Sequence, residues 1–392
     1  MNPHSTMENH SMNFPVQPNA TRSSRFTPMG AVLALAFALP LAAQNDVIVE
    51  ANGNRVRGLT ISSTGSSEIF AEAADGERQF AIRQIREIVW GDMPESFGIA
   101  MAAERSGDYE LASTKYDEAL SANSRDIATP DVEFLHLRAR AQGASNDANE
   151  AGAVADDLNG WLSANTDHYR IPDATYWRGK ALILAGEGAS AASILDQLEK
   201  DVLRNGWQPI WSARAKLSQG LAEIASGDPA RARATLRAAL SAAGSVNDDS
   251  VAAEIASLQT QATAAIGESM IAEGDADKAL AFFRDGSSNE SPALSAARKA
   301  GEGQALFVQA ESSASVDEMR QAQVALAEAI VLDPEGGDVT AKAQFFMGKL
   351  LMLLGDEREQ KAIERAKDYF RSIIDFYPDS RWAGPARSEL DA

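Results

Sequence analysis

The 392-residue chain contains no cysteine. That excludes disulfides, thiolate catalysis and anchoring through an acylated cysteine. Histidine is almost as scarce, with four residues, of which His4 and His10 fall in the first 43 positions. The other two, His136 and His168, lie in separate segments and read as structural. No H-E-x-x-H and no G-x-S-x-G occurs, and no His pair has metal-ligand spacing, so zinc and Ser/His chemistry lack their residues. Positive charge is short too, with 36 Lys+Arg against 56 Asp+Glu and a net charge of −20. Such acidity argues against nucleic acid or an anionic membrane as partner, and suits solvated helix faces or a basic partner. Long apolar runs are also missing. None reaches the ~18 residues of a membrane span, including the run over 29–41.

Abundant carboxylates raise two further readings. Asp147-x-Asn149 before Gly152 faintly resembles the start of a calcium loop, but the twelfth position is Leu158 where a bidentate Glu is needed. Asp147, Asp156-Asp157 and Asp248-Asp249 therefore read as helix caps or solvated faces. Gly186-Glu187-Gly188 lacks the Lys of a phosphate loop and reads as a turn. No catalytic, cofactor-binding or metal-binding residue is assigned. A carboxylate-dependent glycan enzyme is the remaining enzymatic alternative, with no particular pair singled out.

The N-terminus has Arg22 and Arg25, an apolar run over 29–41, then Ala42-Ala43. This is the layout of a secretory signal, with cleavage expected near Ala43. An uncleaved membrane anchor is the alternative. Removing the two Arg and one Glu of this leader leaves 34 basic against 55 acidic residues, a net of −21. Export without cysteine fits a bacterial periplasm or envelope, and the mature chain is expected to be soluble.

Residues 44–92 read as a small β module. Alternating segments at 46–50, 55–61, 68–73, 79–82 and 85–90 are punctuated by Asn52-Gly53-Asn54, by Asp75-Gly76 and by a loop over 62–67. Five short strands suggest an SH3-like or Sm-like barrel. A module of this size is marginal by itself, so Phe80, Ile82, Ile88 and Trp90 are expected to pack inward or against the first helices.

From residue 95 onward a turn followed by a small residue, a large residue four later and a small or apolar one seven later occurs six times. It begins as Gly107-Asp108 with Ala112, Tyr116 and Ala119. It continues at Ala191 and Leu195; Ala232, Leu236 and Ala239; Ala279 and Phe283; Ala322, Leu326 and Ala329; and Ala366, Phe370 and Ile373. The last five copies recur every 40 to 47 residues or so, the period of stacked helical hairpins. Offsets of four and seven share a helix face. Small residues twelve positions upstream of the motif Ala (Ala100, Gly220, Gly267) let the preceding helix approach. A motif-poor hairpin over 131–165 fills the long gap after the first copy. Pro334 and Pro378 stop their helices, and a charged insert over 357–363 lengthens the last unit.

These offsets resemble the tetratricopeptide repeat (TPR). The resemblance covers roughly 95–391 and implies a mainly α fold, a TPR-like α-solenoid over 95–392 with irregular curvature. The segment from Phe370 through Pro378-Asp379-Ser380 to Ala383 and Ala386 resembles single repeats of bacterial envelope TPR proteins, the outer-membrane assembly lipoproteins and the Tol–Pal coordinator family. That resemblance implies other envelope proteins or peptides as partners, bound along the concave face of first helices without a cofactor. Tyr176, Trp177, Trp207 and Trp211, with Arg178, Lys180, Arg214 and Lys216, are the candidate binding residues. Two roles fit the rings, including Trp161: partner anchors, or filling between degenerate repeats. A self-associating structural component of the envelope is the second functional reading.

Overall fold

The structure, a computed structural model, describes residues 45–391 except 145–146, 287–289, 334–335, 355–359 and 379. The leader over 1–43, Pro334, the Gly355-Asp356 turn and the start of the charged insert lie outside the described residues.

Strands β1 (Asp46–Glu50), β2 (Arg55–Thr64), β3 (Glu68–Ala73), β4 (Gly76–Ala81) and β5 (Ile85–Val89) form one antiparallel sheet in the order β4-β3-β2-β1-β5. Two expectations are corrected. The stretch over 62–67 is not all loop, because β2 runs to Thr64. A register shift between Ile61 and Ser63 lets this one strand pair with β1 at its start and with β3 at its end. Ile82 does not extend β4. It opens a single 3-10 turn, Ile82–Gln84, and its N–H donates to the Ser67 carbonyl.

The module does not bury its apolar surface by itself. Phe80, Ile82, Ile88 and Trp90 are all buried as expected, and they belong to one core with Phe97, Tyr116, Phe134, Leu135 and Trp207. The junction is pinned by Asp46, whose carboxylate accepts from the amides of Ile61 and Gly91 (2.8 Å each) and from both terminal nitrogens of Arg125 (2.5 and 2.9 Å). Burial pushes this carboxyl up, but Arg125 and the two amides outweigh it and hold it below the usual range.

Fifteen helices follow among the described residues. They pair as seven hairpins: α1 (Glu95–Arg105) with α2 (Tyr109–Ala122), α3 (Thr129–Gly143) with α4 (Ala148–Ala164), α5 (Ile171–Leu184) with α6 (Gly188–Asn205), α7 (Ile210–Ala225) with α8 (Pro229–Ser245), α9 (Ala252–Ala272) with α10 (Ala276–Arg284), α11 (Pro292–Ser313) with α12 (Val316–Leu332), and α13 (Asp338–Leu354) with α14 (Gln360–Phe376). A last helix, α15 (Ala383–Asp391), packs on α14. From α3 to α13 each first helix packs on the next first helix, which makes a continuous inner face. Helix lengths from 9 to 22 residues make the stack irregular.

The repeat physics is visible in the contacts. Gly107, Gly227 and Gly274 take left-handed φ values of 80–84° at the turns. Asp108 and Asp228 then cap the second helices through the amides of Leu111 and Arg231, both at 3.1 Å. The motif residues Ala112, Tyr116, Ala232, Leu236, Ala322, Leu326, Ala366 and Phe370 are all buried. After the first copy, each large residue presses on a glycine of its own first helix. A Cβ at Gly220 would meet Leu236 at 2.6 Å, and one at Gly267 would meet Phe283 at 2.0 Å. The same contact joins Gly179 to Leu195, Gly303 to Leu326 and Gly348 to Phe370. Gly179 stands twelve residues before Ala191, so the degenerate copy keeps the close approach. Gly303 stands 19 residues before Ala322 because α11 and α12 run on further around a two-residue turn, and Gly348 stands 18 residues before Ala366.

Candidate functional site

Between the β module and the inner faces of the first hairpins lies a cavity of about 650 Å³. One wall is the 3-10 turn and β5, through Ile82, Ile85, Arg86, Glu87 and Ile88. The facing wall comes from successive first helices: Phe97, Met101, Glu104 and Arg105 of α1; Leu135, Arg138 and Gln142 of α3; Asp173, Tyr176 and Trp177 of α5; Ile210, Trp211 and Arg214 of α7. Spacings of three, four and seven put each set on one helix face.

The floor is a ladder of internally paired charges. Arg138 forks onto Glu104 (2.6 and 2.9 Å) and reaches Asp173 at 3.6 Å. Glu104 also accepts from Tyr116 Oη at 2.8 Å and Gln142 Nε2 at 2.7 Å. Burial raises the Glu104 carboxyl, and these donors bring it below the usual value. Behind it Asp131, fully buried, accepts from Arg170 Nε, Trp90 Nε1 and Tyr169 Oη, all at 2.7 Å. Its pKa is likewise held down, mainly by Arg170 acting against burial. Arg214 pairs with Glu254 of α9. By contrast Arg86 and Arg105 are exposed and have no carboxylate partner among the described residues.

The candidate residues divide. Tyr176, Trp177 and Trp211 form a half-buried cluster with ring centroids 5.7 and 5.9 Å apart, and all three line the cavity. Lys180 sits 4.7 Å over the Trp177 ring and Arg214 4.2 Å over the Trp211 ring. Trp207 borders the cavity but is committed elsewhere: it is buried and donates from Nε1 to the Ser66 carbonyl at 3.0 Å. It anchors the β module to the solenoid, alongside Asp167, which accepts from the Ser66 amide and hydroxyl at 2.7 and 2.6 Å. Trp161 is core, with Nε1 donating to the Pro130 carbonyl. Arg178 and Lys216 do not line the cavity. Lys216 pairs with Glu199 of α6 at 2.6 Å, and Arg178 lies in the field of Asp156 and Glu187. A four-cation clamp is therefore not assembled.

Sequence reasoning missed Arg86, Glu87, Met101, Glu104 and Arg138, because it placed the groove in the middle repeats. It read the surplus of large apolar residues at 80–90 as a sign of packing against the first helices, but not as one wall of a cavity. His136 bonds Ser113 Oγ at 3.0 Å, Asp147 and Asp248 cap their helical turns, and Gly186 makes a left-handed turn, so each has a structural role. Among the described residues no group of His, Asp and Glu is placed to hold a metal, and no helix is long and apolar enough to cross a membrane.

The family model described as "Tetratricopeptide repeat" matches residues 342–380, which span most of α13 and all of α14. No curated protein matches the chain significantly. Similar solved structures include a thermophilic TPR protein of Thermus thermophilus (18% identity, 59% of this chain and 97% of that one, TM-score 0.35). Others are the apo quorum sensor NprR from B. thuringiensis (14% identity, 72% and 78%, 0.42) and the apo form of RapI (12% identity, 74% and 79%, 0.46).

Proposed function

We propose, from the premise that this chain is a TPR-like protein, that it is an exported, non-enzymatic adaptor holding a segment of another cell-envelope protein. A TPR-like fold is an interaction scaffold, since stacked hairpins expose an extended inner face and leave no deep catalytic core. The observation that carries the reading is the cavity of about 650 Å³ walled on one side by β5 and on the other by Tyr176, Trp177 and Trp211. Trp and Tyr are favoured interface anchors. The assignment to the envelope draws on the leader over 1–43 and on the resemblance of the last repeat to envelope TPR units.

The test is in-cell cross-linking of the tagged chain, with mass spectrometry of the envelope fraction, for the wild type and a Trp177→Ala/Trp211→Ala variant. A reproducible set of envelope proteins, lost in the variant, is expected. Capture only of itself points to the self-associating alternative. Recovery in the cytoplasm alone, or a set unchanged in the variant, would sink the proposal.

A further inference from the structure

The groove has one feature that a helical solenoid by itself does not supply, the backbone edge of a β-strand. In the order β4-β3-β2-β1-β5, strand β5 is hydrogen-bonded only to β1. Ile85, Arg86, Glu87 and Ile88 of this strand line the cavity. There Gln208, just before α7, donates from its side-chain amide to the carbonyls of Ile85 (2.8 Å) and Arg83 (3.3 Å). The chain thus already places a donor where the N–H of an adjoining strand would sit. Beyond Ile85, over 86–89, the backbone makes no hydrogen bond except to β1 among the described residues.

An unpaired strand edge is a template for another strand. The two edges of this sheet are treated differently. β4 stands in solvent and carries Glu77 and Arg78, with Arg78 paired to Asp75, the charged dressing that discourages pairing. β5 instead faces residues of α1, α3, α5 and α7 across the cavity.

We propose that the groove binds an unfolded segment of its partner as a sixth strand on β5, with apolar side chains against Trp177 and Trp211 and acidic side chains at Arg86 and Arg105. The charge argument is local. Arg138, Arg170 and Arg214 are neutralised by Glu104, Asp131 and Glu254, so among the described cavity-lining residues Arg86 and Arg105 are the cations without an ion pair. This inference rests on the adaptor reading above and adds the binding mode and the chemistry of the segment.

The probe is a display library of short random linear peptides, selected against the full chain. The expected winners are apolar with flanking Asp or Glu, and they protect from hydrogen exchange those amides of 86–89 that do not bond β1. N-methylation at every second peptide backbone position removes a strand hydrogen bond and weakens binding about tenfold, while the intervening positions are indifferent. Arg86→Glu, on an exposed side chain, lowers affinity for an acidic winner by a similar factor without altering the fold. Winners that depend on Trp177 and Trp211 yet tolerate all N-methylation, or bind as helices, overturn the strand mode and leave the groove standing. Winners indifferent to both tryptophans, no winners, or displacement by a second copy of the chain or by its residues 1–44 overturn both.

Discussion

The two halves of the solenoid use the same helix register on their inner faces, and the outcomes differ. In the first half the β module stands over α1, α3, α5 and α7, and the enclosed space stays open, with its floor charges paired and two rim arginines without an ion pair among the described residues. In the second half the inner face is closed by the chain's own side chains. Lys342 of α13, only 3% exposed, reaches Glu268 of α9 at 2.6 Å. Arg381 forks onto Glu268 (3.0 and 2.7 Å) and onto Asp338 at 2.9 Å. Burial raises Glu268, but Lys342 and Arg381 outweigh it and bring it to about 2. The comparison separates two uses of one architecture. Charges paired between elements far apart in the chain lock the C-terminal turns together, while the N-terminal turns carry the open cavity proposed above as the recognition surface.

The sharpest way to break that contrast is to remove one partner of the lock. Lys342→Met leaves Glu268 buried against Arg381 alone, and a half-broken buried pair costs about 3–5 kcal/mol. Because stacked repeats open piecewise, the loss is expected as faster hydrogen exchange in α9, α13 and α15, with α1–α6 unchanged. Adding Glu268→Leu removes the orphaned charge and restores much of the protection. Uniform exchange throughout would show that the two halves are not independent.

Acid separates them next. His168, 3% exposed, accepts the Arg170 amide on Nδ1 at 3.2 Å, and Trp161 stands edge-on at 5.3 Å. Nε2 then carries the proton of the neutral ring. Burial holds its pKa down at about 4, from 6.5, with Arg170 assisting and Asp131 and Asp167 opposing. A base with a depressed folded pKa stabilises fully above its unfolded value and loses that contribution as pH falls from 6.5 to 4. Glu268 gives its contribution up only between its ordinary 4.5 and about 2. Lowering the pH is therefore expected to loosen α4 and α5 first, by on the order of 2–3 kcal/mol. His168→Gln, read by hydrogen exchange at pH 7 and pH 4, should flatten that window. An unchanged pH slope would assign the acid response to other groups.

How much of this was legible follows from the range of each contact. Ala112 with Tyr116, Gly220 with Leu236 and the Gly-Asp turns lie within one hairpin, so periodicity reports them, and seven hairpins follow from six motif copies and one motif-poor segment. Glu268 to Arg381 spans 113 residues, and Ser66 to Asp167 spans 101. Such pairs leave no period, and in a chain with 56 carboxylates no single one stands out. The aromatic cluster at 176–177 and 211 could be found because Trp is rare. Whether a given Trp faces a groove or the β module depends on docking, which is why sequence alone makes Trp207 a partner anchor.

The smallest effects test the knob packing, and here the sign itself changes between sites. Phe283 is held between Gly267 and Gly301, with a Cβ at either meeting its ring at 2.0–2.2 Å. Pressed from both sides, the ring cannot yield. Gly267→Ala is therefore expected to cost about 1–2 kcal/mol even after the helix-propensity gain of about 1 kcal/mol. Gly160 of α4 lies on the exposed face with nothing within 4 Å of its Cβ position. Gly160→Ala receives the propensity term alone and should stabilise by about 0.5–1 kcal/mol, seen as a higher urea midpoint with an unchanged slope. Phe283→Leu added to Gly267→Ala relieves the overlap. If that pair is no more stable than Gly267→Ala alone, the glycine serves the helix backbone rather than the ring.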